Sequence, residues 1–417
     1  MARLANFATP KLRVLSKISP WNKVNLGEYL SFKNGINADK DSYGSGYKFI
    51  NVLDIINNDF IKHDSIIGSV SVDEKTFLNN EVAYGDILFQ RSSENREEAG
   101  QSNVYLDKKH TATFGGFVIR GKPLKDYNPI YLNYLLKSWL VRREVIRKSG
   151  GSTRYNVGQD TLSSVELFIT DCEDEQNEIA DVFSSVDIKI KLLKEKHVLL
   201  EQYKKGVMQK LFSQEIRFKD ENGNAFPDWS NAKFEQVFER VTQKNKENNQ
   251  NVLTISAQRG LINQQKYFNK SVSAKNVTGY YLLNNGDFAY NKSYSKGYPM
   301  GAIKRLNNYE KGVVSTLYIC FKSHGNQHDE FWEQYFEAGL LNREISKIAQ
   351  EGARNHGLLN VSVTEFFKDI TVHEPSEKEQ IRIAEFLGTL DKKLELVSQQ
   401  IEQTQTFKKG LLQQMFV

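Results

Sequence analysis

The sequence has few cysteines and no long apolar run. Among 417 residues only Cys172 and Cys320 are cysteines, and they lack the Cys-x-x-Cys spacing of a zinc site. We therefore expect neither a disulfide framework nor a cysteine-based metal site. No stretch of about 18 or more apolar residues is present, and the first residues lack the apolar core of a signal peptide. These features indicate a cytoplasmic protein without a membrane span.

The common motifs of catalysis are also missing. There is no Gly-x-x-x-x-Gly-Lys-Ser/Thr loop for ATP, and the glycine pair in residues 114–117 is too short for a dinucleotide or adenosyl-methionine loop. Asn128-Pro129-Ile130-Tyr131 matches three of four positions of the Asn-Pro-Pro-Tyr/Phe tetrapeptide of adenine methyltransferases. A helix start explains it better, with Asn as the N-cap and Pro in the first turn. His324 and His328 lie four residues apart without an evident third ligand. We expect no catalytic residue, cofactor or metal in this chain.

The charge is only mildly basic. Lys and Arg total 56 against 51 Asp and Glu, which gives a net charge of +5 and a pI near 8.8. This value falls just short of the pI of about 9 that marks an obvious nucleic-acid binder. Composition alone therefore describes an ordinary soluble protein, and a role on DNA requires the cations to gather on one face.

An internal repeat is the strongest feature of the sequence. Glu175-Gln176 and Ile179-Ala180 return 204 residues later as Glu379-Gln380 and Ile383-Ala384. The segment 203–212 returns as 407–416, and no gap is needed between. The repeat predicts a tandem duplication.

Both copies of the repeat are predicted to be long helices. Their apolar residues recur at steps of three and four, which is typical of a coiled-coil or bundle face. These residues are Ile179, Val182, Val186, Ile190, Leu193, Leu200, Val207 and Leu211 in the first copy, and Ile383, Phe386, Leu390, Leu394, Val397, Ile401, Leu411 and Met415 in the second. One such helix alone leaves its apolar stripe in water, so we expect the two to pair. The sequence Ser376–Glu379 predicts a capping box. Lys189, Lys191, Lys194 and Lys196 are expected on a solvated face, with a phosphate- or partner-binding role as the alternative.

The regions before the helices predict mixed α/β domains. Short β-type runs, such as 47–53 and 312–321, are separated by turn residues, and Gly85-Asp86 and Gly286-Asp287 each open a strand. Short helices are expected from Asn128-Pro129 and around 331–336. The predicted domains are residues 1–170 and 216–372, and the predicted helices are 171–215 and 373–417. Residues 220–224 are a polar link between the halves.

The loops after the two Gly-Asp strands are candidates for DNA binding. They mix cations with amide and hydroxyl groups: Arg can bind guanine, Asn and Gln can bind adenine, and Lys and Ser can hold phosphates. Either loop alone is an ordinary solvated loop, but their equivalent position in two diverged copies favours recognition. Arg154 and Arg354 follow Gly-containing turns and are candidates for phosphate anchors or for loop-packing cations. The candidate residues are Arg91, Ser92, Ser93, Asn95, Arg96, Gln101, Arg154, Asn156, Gln258, Arg259, Asn291, Lys292, Ser293, Tyr294, Lys296, Arg354 and Asn355.

Taken in order, these elements resemble the specificity subunit of type I restriction-modification systems. The resemblance covers essentially the whole chain. It rests on the Glu-Gln…Ile-Ala helix starts, the helix ends at Lys204-Lys205-Gly206 and Lys408-Lys409-Gly410, the Gly-Asp turns, and the Gly-x-x-Arg element at Gly151. That element is shortened at Gly352, which makes the role of Arg354 less secure than that of Arg154.

The resemblance implies a non-catalytic subunit with two target-recognition domains, each of which reads half of an interrupted site in double-stranded DNA. It implies that the two helices form an antiparallel coiled coil that acts as a ruler. It also implies two modification subunits that bring S-adenosylmethionine and methylate adenine, and restriction subunits that use ATP and Mg. The alternatives are a stand-alone DNA-binding protein and a coiled-coil scaffold for protein partners. Retention on DNA that weakens steeply with salt distinguishes a DNA binder from a scaffold.

Overall fold

The protein has a mixed α/β fold, as the sequence predicts. The structure, a computed structural model, describes residues 7–13, 20–268, 276–349 and 359–417. Contacts divide the chain into two compact units: unit 1 is Met1–Glu195 with Gln399–Val417, and unit 2 is Lys196–Ser398. Within the described ranges, no helix is both long and apolar enough to cross a membrane.

Unit 1 contains short strands and helices followed by the first long helix. The strands are β1 Phe7–Ala8, β2 Trp21–Asn25, β3 Leu30–Asn34, β4 Tyr43–Ile50, β5 Ser69–Val70, β6 Ile87–Gln90, β7 Ser92–Ser93, β8 Ser102–Val104, β9 Thr113–Phe114, β10 Val118–Pro123, β11 Tyr155–Asn156 and β12 Glu166–Ile169. The helices are α1 Val52–Asn57, α2 Glu74–Asn79, α3 Pro129–Lys137, α4 Trp139–Lys148, α5 Gln159–Ser163 and the long α6 Glu173–Phe212, which continues into unit 2.

An antiparallel sheet in the order β3-β10-β6-β8 is central to unit 1. Unit 1 also contains three smaller sheets, β1-β2-β12, β5-β4-β9 and β11-β7. The main core contains Trp21, Tyr131 and Phe183, and Phe416 from the end of the chain packs against all three rings at centroid distances of 5.7 to 6.0 Å. The C-terminal segment therefore completes the core of unit 1.

Unit 2 follows the same general order. Its strands are β13 Ser230–Lys233, β14 Phe238–Arg240, β15 Leu253–Ser256, β16 Gly260–Asn263, β17 Tyr281–Asn284, β18 Phe288–Asn291, β19 Ala302–Arg305, β20 Lys311–Val314, β21 Ile319–Ser323 and β22 Thr371–Glu374. Its helices are α7 Phe234–Val237, α8 Gln264–Phe268, α9 Asp329–Glu337, α10 Asn342–Ile348, α11 Val363–Lys368 and the long α12 Glu377–Gln414, which ends in unit 1.

The sheet β14-β21-β18-β19 is the main sheet of unit 2. The core beneath it contains Trp332 and a cluster of phenylalanines, and Phe212 at the end of α6 packs on Trp229, Phe331 and Tyr335. Phe212 and Phe416 are 204 positions apart, which is the offset of the sequence repeat. The core of each unit therefore includes a phenylalanine from the C-terminal end of one of the two repeated segments.

The long helices carry the predicted apolar seam. All of the predicted seam residues are buried or half-buried, whereas Lys189, Lys191, Lys194 and Lys196 are exposed, as predicted. In unit 1, Lys408 of α12 donates a hydrogen bond to Asp187 of α6. In unit 2, Lys204 of α6 donates to Asp391 of α12. Each unit thus contains a charged contact between segments of the two helices.

The start of each long helix is held by a buried glutamate. The carboxylate of Glu175 accepts hydrogen bonds from the guanidinium of Arg13 and the indole of Trp21 at 2.8 to 3.0 Å. In unit 2, Glu379 accepts from Arg217 and Trp229 at 2.8 to 3.1 Å. Because a buried carboxylate is costly unless it is paired, each of these glutamates fixes the base of a helix to the domain before it.

The predicted capping box at Ser376 is wrong. The Ser376 hydroxyl has no hydrogen-bond partner within the part of the chain that the structure describes. The Glu379 carboxylate, which the motif requires at the backbone of Ser376, is instead bound by Arg217 and Trp229. A tertiary contact has therefore replaced the local one.

Other local predictions have mixed outcomes. The helix start at Asn128-Pro129 is confirmed, because the Asn128 side chain accepts from the backbone N–H groups of Ile130 and Tyr131. The helix expected around 331–336 is confirmed as α9. The run 47–53 is a strand only as far as Ile50, since α1 begins at Val52. The run 312–321 is interrupted by a turn at 315–318 that separates β20 from β21.

Candidate nucleic-acid interface

A Gly-Asp turn precedes each candidate loop. Gly85 and Gly286 have φ angles of +91° and +96°, a conformation that favours glycine. The carboxylates of Asp86 and Asp287 accept the backbone N–H groups of Ala83 at 2.9 Å and Asn284 at 2.7 Å. Burial raises the pKa of each to about 6. These aspartates therefore stabilise the turns that lead into β6 and β18, and their side chains face the protein interior.

In unit 1 the structure brings two predicted segments together. β7, which consists of Ser92 and Ser93, pairs with β11, which contains Asn156. The backbone N–H of Val157 also donates to the carbonyl of Arg91 at 3.0 Å. The loop after β6 and the Gly-x-x-Arg turn therefore form one surface, although about 60 residues separate them in sequence.

The cations of this surface differ in their contacts. Arg91 donates through Nη1 to the carbonyl of Gly116 at 3.2 Å, and its backbone N–H donates to Phe117. Arg154 lies 3.9 Å from Glu94, and both side chains are exposed. Arg96 is exposed in a 3-10 turn, where the side chain of Asn95 accepts the N–H of Glu97.

Ser93 and Gln101 are placed differently from the exposed candidates. The Ser93 hydroxyl is buried, donates to Glu98 at 3.1 Å and accepts the N–H of Asn95 at 3.1 Å. Gln101 is half-buried, and its carbonyl accepts the N–H of Gln90. In this structure Ser93 therefore supports the shape of the loop.

Arg142 supports the same loop and was not predicted from the sequence. Its guanidinium donates to the carbonyls of Glu97 at 3.0 Å, Ala99 at 2.7 Å and Gly100 at 2.6 Å. Burial lowers its pKa to about 10. No sequence signal distinguishes Arg142 from its neighbour Arg143 on α4, because only the packing of the helix decides which one turns inward.

In unit 2 the loop after β18 is a compact hairpin. The Asn291 side chain accepts the N–H of Ser293 at 3.1 Å, and Ser295 and Tyr298 exchange backbone hydrogen bonds. Tyr294 and Lys296 are exposed near its tip. The carbonyl of Lys292 accepts the N–H of Leu359 at 3.0 Å. This contact matches the one from Val157 to Arg91 in unit 1.

The remaining candidates lie apart from this hairpin or outside the described residues. Gln258 and Arg259 are exposed at the turn between β15 and β16, a separate two-stranded sheet. The N–H of Arg259 donates to the Ser256 hydroxyl at 3.2 Å. Arg354 and Asn355 lie within 350–358, outside the described residues. Within the described ranges, no cluster of three or more His, Cys, Asp or Glu side chains is arranged to hold a metal ion.

Residues 18–202 match the family model described as the type I restriction modification DNA specificity domain. Over 206 residues the chain is 25% identical to a Methanocaldococcus jannaschii protein named as the type I restriction enzyme MjaX specificity subunit. That match covers 47% of this chain and 46% of the relative, so the chain spans about half the length of the curated relative that it matches.

Two solved structures have a similar fold over almost the whole chain. The type I restriction-modification system S subunit from M. genitalium aligns with a TM-score of 0.53 at 15% identity, over 98% of this chain and 99% of that one. A chain from a structure of type I R-M system assembly and conformational transition aligns with a TM-score of 0.54 at 12% identity, over 95% and 98%. At these identities the likeness shows the fold alone. Residues 18–202, by contrast, match a family model directly, and this match confirms the resemblance to specificity subunits that the sequence predicts.

Proposed function

We propose that this chain is the DNA-reading specificity subunit of a cytoplasmic type I restriction-modification complex, and that unit 1 and unit 2 each read one half of an interrupted site. The main support for the proposal is a backbone hydrogen bond that occurs at the equivalent position of the loop in each unit. The N–H of Val157 binds the Arg91 carbonyl, and the N–H of Leu359 binds the Lys292 carbonyl, each at 3.0 Å. Two units with different loop sequences thus fix their loops at the same point.

The proposed contacts with DNA are of two kinds. Exposed cations such as Arg154, Arg96 and Lys296 suit phosphates, which position the protein without carrying sequence information. Arg91, Asn156 and the Asn291–Tyr294 segment lie closer to the ends of the strands and suit base edges. The division assigns phosphate contacts to the rims of the loops and base contacts to their centres.

The two long helices are proposed to be duplicated copies that pair as an antiparallel coiled coil and set the distance between half-sites. The supporting contacts are Asp187 with Lys408 in unit 1, and Asp391 with Lys204 in unit 2. Both residues of the second pair are the repeat equivalents of the first, 204 positions away. Two antiparallel copies of one helix would form two such equivalent pairs, with the Asp of each copy bound by the Lys of the other.

Catalysis is proposed to reside in partner subunits. Two modification subunits would bring S-adenosylmethionine and methylate adenine, and restriction subunits would bring ATP- and Mg-dependent cleavage. This chain would contribute only the choice of site. The purified chain alone should then transfer no methyl group, which a radiolabelled methyl-transfer assay measures directly.

The proposal is tested by mapping methylated adenines in cells that express the chain with its modification subunit. A two-part motif with a fixed spacer is expected. Replacing residues 21–170 with the equivalent region of a relative should change one half of the motif and leave the other. A swap that changed both halves, or a wild-type chain that gave no two-part motif, would contradict the proposal. A chain with Glu195→Ala, on the exposed surface of α6, is the control for expression.

A further inference from the structure

Each unit presents one large apolar side chain to solvent at the tip of an equivalent turn. In unit 1 the turn is 115–118, which leads into β10 at Val118, and the Phe117 side chain is 65% exposed. In unit 2 the turn is Ser315–Tyr318, just before β21, and Leu317 is also 65% exposed. A single exposed apolar residue needs no explanation. Two exposed apolar residues at equivalent positions, in turns whose sequences differ, do require one.

The turns are equivalent by hydrogen bonding as well as by position. The N–H of Val118 donates to the carbonyl of Gly115 at 2.8 Å, and the N–H of Tyr318 donates to the carbonyl of Ser315 at 3.1 Å. Both turns lead into the strand that pairs with the Gly-Asp strand of the same unit: β10 pairs with β6, and β21 pairs with β18. The exposed side chains therefore occur at corresponding points of the two main sheets.

That point is the end of the sheet where the candidate DNA-binding loops begin. In unit 1, Val118 is the pairing partner of Gln90, the last residue of β6. Arg91 then donates from its backbone to Phe117 at 2.9 Å and from its side chain to Gly116 at 3.2 Å. In unit 2, Ile319 pairs with Tyr290, the residue before Asn291. In unit 1 the turn that carries Phe117 is therefore in contact with a cation that suits a base edge, and in unit 2 the register places the turn that carries Leu317 at the end of β18 where Asn291 lies.

The unit 1 turn is also held rigidly. The N–H groups of Gly115 and Gly116 donate to the carbonyls of Ile50 and Ile36 at 3.0 and 2.9 Å. A Cβ atom at Gly116 would lie 1.9 Å from the Oδ1 atom of Asn37, so a larger residue at this position would require the Asn37 side chain to move. In unit 2 the Ser315 hydroxyl accepts the N–H of Leu317 at 3.3 Å. Fixed turns present an apolar group to a partner with little loss of conformational entropy on binding.

We propose that Phe117 and Leu317 are specificity-determining residues that make apolar contacts with bases, Phe117 in the half-site read by unit 1 and Leu317 in the half-site read by unit 2. The assignment rests on the proposed function. DNA bases offer two apolar features to such a side chain: the C5-methyl group of thymine in the major groove, and the space between base pairs at a deformable step in the minor groove. The surrounding cation and amides favour DNA over an apolar protein surface as the partner.

The test uses the full chain with its modification subunit and maps methylated adenines for Phe117→Ala, Leu317→Ala and the control Leu124→Ala. Leu124 is 58% exposed and follows β10 at the opposite end of the same strand, so it matches Phe117 in strand and exposure but not in position. Phe117→Ala should relax one or two base pairs of one half-site, with discrimination lowered about tenfold. Leu317→Ala should do the same in the other half, and Leu124→Ala should leave the motif unchanged. Phe117→Leu, which keeps an apolar group, should retain most of the discrimination.

Several results would overturn the assignment. One is a Phe117→Ala chain that methylates the wild-type motif with undiminished discrimination. Another is a chain that loses its modification subunit on purification, which would make the turn a protein contact. If wild type shows no two-part motif, the proposed function itself fails and the assignment falls with it.

Purified complexes then distinguish the two kinds of base contact. If the methyl group of thymine is read, replacing thymine by uracil in the half-site should abolish the difference in binding between wild type and Phe117→Ala. If a base step is opened, the fluorescence of 2-aminopurine placed at that step should rise on binding.

Discussion

Lys408 donates a hydrogen bond to the carboxylate of Asp187, although 221 positions separate the two residues in the chain. The same carboxylate accepts the phenol of Tyr134 on α3. In unit 2, Lys204 donates to Asp391, which also accepts the side chain of Gln334 on α9. Each long helix therefore supplies the carboxylate of one pair and the ammonium group of the other. Each carboxylate also accepts a hydrogen bond from a short helix of its own unit.

The first prediction concerns the stability of this pair. Asp187 and Lys408 are only 12% and 23% exposed. Removing the carboxylate by Asp187→Ala leaves a shielded ammonium group and a phenol without an acceptor, which should lower the free energy of unfolding by about 1–3 kcal/mol. The control is Glu195→Ala, which removes the partner of Lys191 from a pair that is 54% and 70% exposed. It should cost less than about 0.5 kcal/mol in thermal unfolding. Equal effects for the two variants would show that the Asp187 pair is not a structural contact.

The second prediction concerns the spacer of the DNA site. A heptad inserted after Leu193 keeps the apolar seam of α6 in phase and lengthens the helix by roughly 10 Å. If the helices set the half-site distance, the methylated motif should keep both half-site sequences and gain about one to three base pairs of spacer, since DNA rises about 3.4 Å per base pair. Activity is lost if α12 cannot match the longer helix. A two-residue insertion shifts the seam out of phase and should destabilise the protein. An active heptad variant with the original spacer would show that the helices do not act as a ruler.

The third prediction concerns pH. Burial raises the pKa of Asp86 and Asp287 to about 6. An aspartate in the unfolded chain has a pKa near 4, so these two aspartates bind more protons in the native state than in the unfolded state between about pH 4 and 6. The stability that they contribute is therefore lost as the pH rises through 6. The free energy of unfolding of Asp86→Asn, relative to that of wild type, should increase by about 2 kcal/mol as the pH rises from 4.5 to 7.5. The measurement is the unfolding midpoint of both proteins across this range.

Asp220 gives a control of opposite sign for the pH experiment. It is half-buried in the segment 220–224 of unit 2, and hydrogen bonds, first that from the backbone N–H of Asn224, lower its pKa. Asp220→Asn should therefore lose stability relative to wild type at neutral pH, and the loss should disappear as the pH falls below 4. The same direction of change for Asp86→Asn and Asp220→Asn would contradict the role assigned to burial.

The fourth prediction concerns Arg142. Arg142→Ala leaves the carbonyls of Glu97, Ala99 and Gly100 without their donor, so amide hydrogen exchange in residues 96–101 should accelerate at least about tenfold. Methylation should fall through weaker recognition of one half-site. The matched control is Arg143→Ala, since Arg143 is exposed and lies over the ring of Trp139 at 4.4 Å. If Arg143→Ala had the same effect on the loop, the three carbonyl contacts would not be what holds it.

Local sequence patterns predicted much of the fold. The repeat placed both long helices, whose observed bounds, Glu173–Phe212 and Glu377–Gln414, lie within the predicted segments. The seam and the exposed lysines follow from helical periodicity, and the start of α3 follows from Asn128 and Pro129. The resemblance to specificity subunits rests on the same order of elements. These features depend on residues that are close in sequence, so a pattern can express them.

Other features of the candidate interface could not be predicted in this way. The sequence makes Ser93 a candidate for DNA binding, but its hydroxyl is buried against Glu98. Arg142 cannot be recognised from the sequence, because four cations lie on α4 and the sequence does not show which one faces the loop. In the sequence, Phe117 is only one residue of a glycine-rich segment. Its exposure depends on the contacts of Gly115 and Gly116 with Ile50 and Ile36, which are distant in sequence.

The sequence by itself predicted the two long helices, the mixed α/β class and the resemblance to specificity subunits, because each depends on periodicity or on motifs that recur at a constant offset. The tertiary structure decided which polar groups are used inside the protein and which face solvent. Glu379 shows the difference most simply: its spacing from Ser376 predicts a cap, but Arg217 and Trp229 bind its carboxylate instead. A buried carboxylate is stabilised more by a guanidinium and an indole than by one backbone N–H, and the residues that provide them are brought near only when the chain has folded.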